Sequence, residues 1–181
     1  MTKDVNSATA GDGSTATETI ARDIPLQYVN TVNRFFTNLG VSDPAVEKYT
    51  STTDSYSDII RGLLNVHAVE RGRISCSFSV LPVVANFYKG LHGGAAAAVA
   101  ERVSIACART LVPEEKELFL GELGISYLSA APQNETVTVD ASVVRSGRNL
   151  TVVSMEFRQK KTGKLMFTAR ATFYHLPASK L

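Results

Sequence analysis

Three features sit close together in the middle of the sequence: Asn86, the run His92-Gly93-Gly94, and Glu101. Each suits chemistry at a carbonyl carbon. Two glycines remove side chains where the Ala-rich run 95–100 begins, and the first N–H groups of a helix have no partner within the helix. Such an end attracts an anion, or an oxygen that becomes negative during a reaction. Glu101 follows two turns on, among Ala, Val, Ile and Cys. A carboxylate buried in apolar surroundings is costly unless it is paired or at work. Bare donors followed by a lone buried acid are what an acyl-transfer centre needs.

Other candidates are weaker. His92 suits a catalytic base, but a histidine here more often fixes its loop by hydrogen-bonding backbone. His67 and His175 show no metal-ligand spacing, and Cys76 and Cys107 show none either, so no metal site is expected. The two cysteines read as reduced thiols filling the core. Ser104 lacks the glycines that flank a nucleophilic serine on a sharp turn.

The elements that must carry these residues follow from composition and period. From Gly94 to Leu111 the chain has no proline and is mostly apolar, which predicts a helix about 27 Å long, greasy on most faces and so buried. Before it, Leu64–Glu70 and Arg73–Val80 read as a hairpin turning at Arg71-Gly72. Ile74, Cys76, Phe78 and Val80 alternate with Arg73 and serines, one face in and one out. After Pro113 the runs Leu118–Leu128, Thr136–Ser146, Leu150–Lys160 and Lys164–Tyr174 read as strands, the last three as an antiparallel meander. A curved antiparallel sheet wrapped around the long helix is the economical arrangement, an α+β fold.

The flanks are simpler. Residues 1–22 are too poor in apolar residues to fold and read as a disordered tail. Residues 23–62 predict an N-terminal extension of two helices packed outside the core, one from Asp23 to Gly40 and one from Ser57 to Leu64. The folded domain then spans 63–176, and 177–181 is a targeting tail. Its last residues, Ser179-Lys180-Leu181, match a peroxisomal address, so an import receptor and a peroxisomal location are expected. A net charge of +2 without a Lys/Arg block argues against nucleic acid. No membrane span is expected, since Glu101, Arg102 and Arg109 interrupt the one long apolar run.

Taken together, Asn86 six residues before His92-Gly93-Gly94, Glu101 on the following helix, Ser126-Tyr127-Leu128-Ser129, and Arg145-Ser146-Gly147-Arg148-Asn149-Leu150 resemble the hotdog-fold acyl-CoA thioesterases. The similarity is to the small branch that includes acyl-coenzyme A thioesterase 13 and the phenylacetate-pathway thioesterases, and it covers about Leu63 to Tyr174. The resemblance implies a homodimer or homotetramer with active sites between subunits, and acyl-CoA as substrate. It further implies that Gly93 N–H, beside Gly94, polarises the thioester carbonyl and that Asn86 holds the same region. Glu101 from the partner chain is then the general base, or less plausibly the nucleophile. Coenzyme A, part of the substrate rather than a cofactor, is expected against Tyr127, Leu128 and Ser129 and against Arg145, Ser146, Gly147, Arg148 and Asn149.

Two departures stand out. This branch more often has Asp where this chain has Glu101. The hydroxyl that often assists the acid falls at Leu120, which cannot hydrogen-bond; Glu122, two residues on along the strand, is a substitute or a solvated carboxylate. Two further readings keep the fold: an acyl-CoA-binding dimer without activity, and an enoyl-CoA hydratase. Hydration wants an Asp–His dyad at the helix start, and Glu101 lies too far along the helix for it.

Overall fold

The computed structural model describes residues 55–177. The expected tail 1–22, the helix expected after Asp23 and the Ser179-Lys180-Leu181 terminus lie outside these residues. The elements are helix α1 (Ser55–Leu63), strands β1 (Asn65–Glu70) and β2 (Arg73–Ser79), a 3-10 turn at Pro82–Val84, helix α2 (Gly93–Arg109), and strands β3 (Lys116–Tyr127), β4 (Thr136–Ser146), β5 (Leu150–Gln159) and β6 (Leu165–Pro177).

All strands join one antiparallel sheet in the order β1-β2-β4-β5-β6-β3. The hairpin β1–β2 turns at Gly72, whose φ of +79° suits glycine. Strands β4, β5 and β6 form the expected meander, and β3 closes the far edge beside β6. Side-chain alternation then sends one face inward. Val153, Met155 and Phe157 on β5 pair with Ala171, Ala169 and Phe167 on β6, and all six are buried in the core. Against that face lies α2, a hotdog arrangement of sheet and helix.

The helix is buried along one side only. Ala96, Val99, Ala100, Val103, Cys107 and Ala108 recur at helical spacing and are buried, and their small size lets the sheet approach closely. Glu101, Arg102 and Ala106 on the other side are exposed. A sheet has one inner face and covers a helix from one side, so burial on most faces does not occur among the described residues. Helix α1 also departs from expectation. Ile60 and Leu63 are 2% and 7% exposed and belong to the core rather than lying outside it.

Cys76 and Cys107 are free and buried, and burial pushes both thiols up to about 11, so they stay protonated at neutral pH. For Cys107 hydrogen bonds from the Ile74 and Val143 backbone oppose part of that rise.

Strand β3 carries a bulge between Leu120 and Glu122. Leu118 and Leu120 pack on the core before it, and Leu123 and Ile125 after it, so the extra residue Gly121 shifts the phase of the alternation. Glu122 therefore turns to the opposite face from Leu120 and is exposed, which removes it as a stand-in for the hydroxyl expected at Leu120.

Candidate active site

The approach to α2 is a loop folded tightly on itself. Asn86 N donates to Gly90 O at 2.7 Å, and Asn86 Oδ1 accepts from Tyr88 N at 3.0 Å and Gly90 N at 3.1 Å. Lys89 adopts a left-handed φ of 57° to make the turn. Leu91 N donates to Ala131 O at 2.8 Å and His92 N to Val84 O at 2.9 Å, clamping the loop between its neighbours. With Oδ1 engaged, the Asn86 Nδ2 donors have no acceptor among the described residues.

His92 is the N-cap of α2. Its backbone is extended (φ −64°, ψ 132°) and its Nδ1 accepts from Gly94 N at 3.0 Å. An accepting Nδ1 places the neutral ring's proton on Nε2. The histidine thus holds backbone, as expected for the structural role. Gly94 N–H is consumed by this cap, while Gly93 N–H has no acceptor among the described residues. Two free donors, Gly93 N–H and the buried Ala95 N–H, therefore stand at the positive end of a 17-residue helix.

Tyr127, at the end of β3, reaches across to that end and its Oη donates to Gly93 O at 2.9 Å. Its ring packs edge-on against Phe167 with centroids 5.4 Å apart, and Phe167 packs likewise on Phe157 at 5.9 Å. This aromatic series ties the helix start to the core. Asn86, Gly93, Tyr127, Leu128 and Ser129 all line one cleft of about 480 Å³. Phe87 and Tyr88 stand beside it, 91% and 87% exposed.

Glu101 is not in that cleft. Its carboxylate is exposed, has no hydrogen bond or ion pair among the described residues, and lines a separate cavity of about 190 Å³ with Tyr56, Ser57, Ala98 and Arg102. It lies eight residues along α2 from Gly93, about 12 Å up the axis. The expected burial of this acid does not occur among the described residues, because the sheet covers the other side of the helix. Tyr56 and Ser57 were missed by sequence reasoning; nothing in the spacing from Ser57 to Glu101 indicates that α1 reaches α2.

The second set of expected coenzyme contacts also lies apart. Tyr127 pairs with Phe167 at one end of β6, while Leu150, after the turn, pairs with Tyr174 at the other. Seven residues of strand separate the two, about 23 Å. Arg145, Ser146, Gly147, Arg148 and Asn149 are all exposed at that far end. Within one chain the structure therefore joins Asn86, His92, Gly93, Gly94, Tyr127, Leu128 and Ser129, and separates them from Glu101 and from the β4–β5 turn. Among the described residues no His, Cys, Asp or Glu group is placed to hold a metal, and no helix is long and apolar enough to cross a membrane.

Known proteins are similar to this chain. Residues 88–166 match the model of the Thioesterase superfamily. Human acyl-coenzyme A thioesterase 13 is 26% identical over 138 residues, spanning 68% of this chain and 96% of that protein. The crystal structure of zebrafish thioesterase superfamily member 2 aligns with a TM-score of 0.63 at 22% identity, covering 80% of this chain and 96% of that one. A hypothetical thioesterase from Streptococcus pneumoniae TIGR4, solved with coenzyme A, aligns at 0.58 and 18% identity over 63% of this chain and 89% of its own. At these identities the two structures speak to fold, which is the same. Residues 88–166 thus match the Thioesterase superfamily, and the domain built around them has the hotdog fold of solved thioesterase structures.

Proposed function

We propose that this chain is an acyl-CoA thioesterase that hydrolyses a fatty or aromatic acyl-CoA to the free acid and coenzyme A, at a site shared by two copies. The observation that carries this reading is the free Gly93 N–H at the start of α2, in a cleft with Asn86 and Tyr127. The names of the relatives and the coenzyme in one solved neighbour support the substrate class.

In this reading the thioester carbonyl oxygen accepts from Gly93 N–H. Glu101 of the partner subunit takes a proton from water as the water oxygen attacks the carbonyl carbon. Negative charge builds on the carbonyl oxygen, where a preorganised donor and the helix end are worth a few kcal/mol, and general-base help adds a comparable amount. The tetrahedral intermediate then expels the sulfur of coenzyme A, which takes up a proton. Asn86 shapes the loop and offers its free amide donors, and His92 keeps Gly94 N–H out of competition. The coenzyme lies along Tyr127, Leu128 and Ser129 and reaches the turn Arg145–Asn149 of another copy.

A thiol-release assay over a panel of acyl-CoA esters tests the activity, and Glu101→Gln tests the base. The variant should lose about a hundredfold or more in kcat while still binding acyl-CoA. Equal turnover would refute Glu101 as base, and binding without any wild-type turnover would make the chain an acyl-CoA-binding protein instead.

A further inference from the structure

The turn joining β4 to β5 is gripped from four strands. Ser146 Oγ lies 2.9 Å from Thr151 Oγ1, which lies 2.9 Å from His175 Nε2. His175 Nδ1 lies 3.2 Å from the Arg148 carbonyl oxygen. A carbonyl only accepts, so Nδ1 carries the proton of the neutral ring and Nε2 accepts from Thr151. Having donated to the ring, the Thr151 hydroxyl accepts from Ser146. The chain of donors therefore runs one way, from Ser146 through Thr151 to His175 and on to Arg148.

Further bonds pull the same way. Lys116 Nζ donates to Arg148 O at 3.2 Å, His175 N to Asn149 O at 2.9 Å, and Gly147 N to Leu150 O at 2.9 Å. All three carbonyls from Arg148 to Leu150 are thus taken by the turn itself, β3 or β6. The side chains of Arg145 and Arg148 stay exposed and form no ion pair among the described residues. With its carbonyls engaged and two guanidinium groups free, the turn is built to receive an anion.

We propose that His175 is a positioning residue that holds this turn in its phosphate-binding shape, so that Arg145 and Arg148 meet the phosphates at the nucleotide end of the coenzyme. The proposal rests on the thioesterase reading for its ligand, and nothing in the sequence pattern around His175 indicates it. His175 never touches the reacting atoms; it acts through the Arg148 carbonyl and Thr151.

The test compares one acyl group carried on coenzyme A with the same group carried on pantetheine, which lacks phosphate, using the full chain. For His175→Leu the ratio of kcat/KM between the two substrates should fall about tenfold, the loss appearing in KM for acyl-CoA. A merely structural role would lower both substrates together and leave the ratio unmoved, which overturns the proposal. His175→Asn, which returns a donor near the Nδ1 position, should recover most of the ratio. Should the leucine variant fail to fold, Thr151→Val keeps the side-chain shape, interrupts the same chain, and should shift the ratio in the same direction. Calorimetry with adenosine 3′,5′-bisphosphate reads the site without turnover: His175→Leu should bind about tenfold more weakly than wild type. Tight binding to wild type with no hydrolysis of either thioester would end the thioesterase reading and leave His175 in place. Equal binding to both proteins, or none to wild type, would end this one.

Discussion

At Gly93 a single substitution can delete one donor hydrogen and little else. Proline is well tolerated at the first position of a helix, where its φ fits and its missing N–H would have had no helical partner. His92 already has the extended backbone that a residue before proline needs. A Cβ at Gly93 would rest 3.5 Å from Tyr127 Oη, an ordinary contact. Gly93→Pro should therefore keep the melting temperature of wild type while kcat falls about a hundredfold, read by thiol release beside a thermal scan. Gly94 differs: a Cβ there would come within 3.2 Å of His92 Nδ1 and disturb the cap. The pair of glycines was legible in the sequence as a bare helix start. Which of their two N–H groups stays free was not, since that depends on which way the His92 ring turns.

Among the elements, β3 shows how one residue redirects a strand. Gly121 is the extra residue of the bulge, and the Tyr174 ring of β6 lies where a Cβ at Gly121 would be. Gly121→Val forces the ring aside or removes the bulge. It should cost about 1–3 kcal/mol, measured as a lower urea midpoint with unchanged slope. The strand itself was legible from its apolar residues, yet alternation counted straight through Gly121 puts Leu120 and Glu122 on one face. The bulge is set by pairing with β6, where Leu120 meets Phe173 and Glu122 meets Thr172. In α1 the local pattern likewise identified a helix, whereas the burial of Ile60 and Leu63 depends on α2 and the sheet lying beneath it.

For the molecule as a whole, the distance between Gly93 and Glu101 within one chain makes a site shared between copies testable by mixing. Co-refolding Gly93→Pro with Glu101→Gln, each nearly inactive alone, should restore activity. Half of randomly paired dimers would be mixed, each with one site that has both groups intact, giving about a quarter of wild-type turnover. No recovery would mean that each chain works alone, and the shared-site mechanism would fail. The exposed Phe87 and Tyr88 beside the cleft suit burial by another copy, since large apolar side chains in contact favour leaving water.

By itself the sequence determined the elements from α1 to β6 and the inward face of β2, because helical and strand periods are local and each residue carries its own preference for water. It also marked Gly93 and Glu101, whose residue types are unusual for their surroundings, while the Arg145–Asn149 turn stood out only through the family resemblance. Only the tertiary structure decided which of these residues share a cleft. Glu101 and Gly93 lie on one helix yet face different cavities, and Tyr127 reaches Gly93 from 34 residues away. Such relations follow from how a sheet curves over one side of a helix, and no stretch of chain contains that information alone.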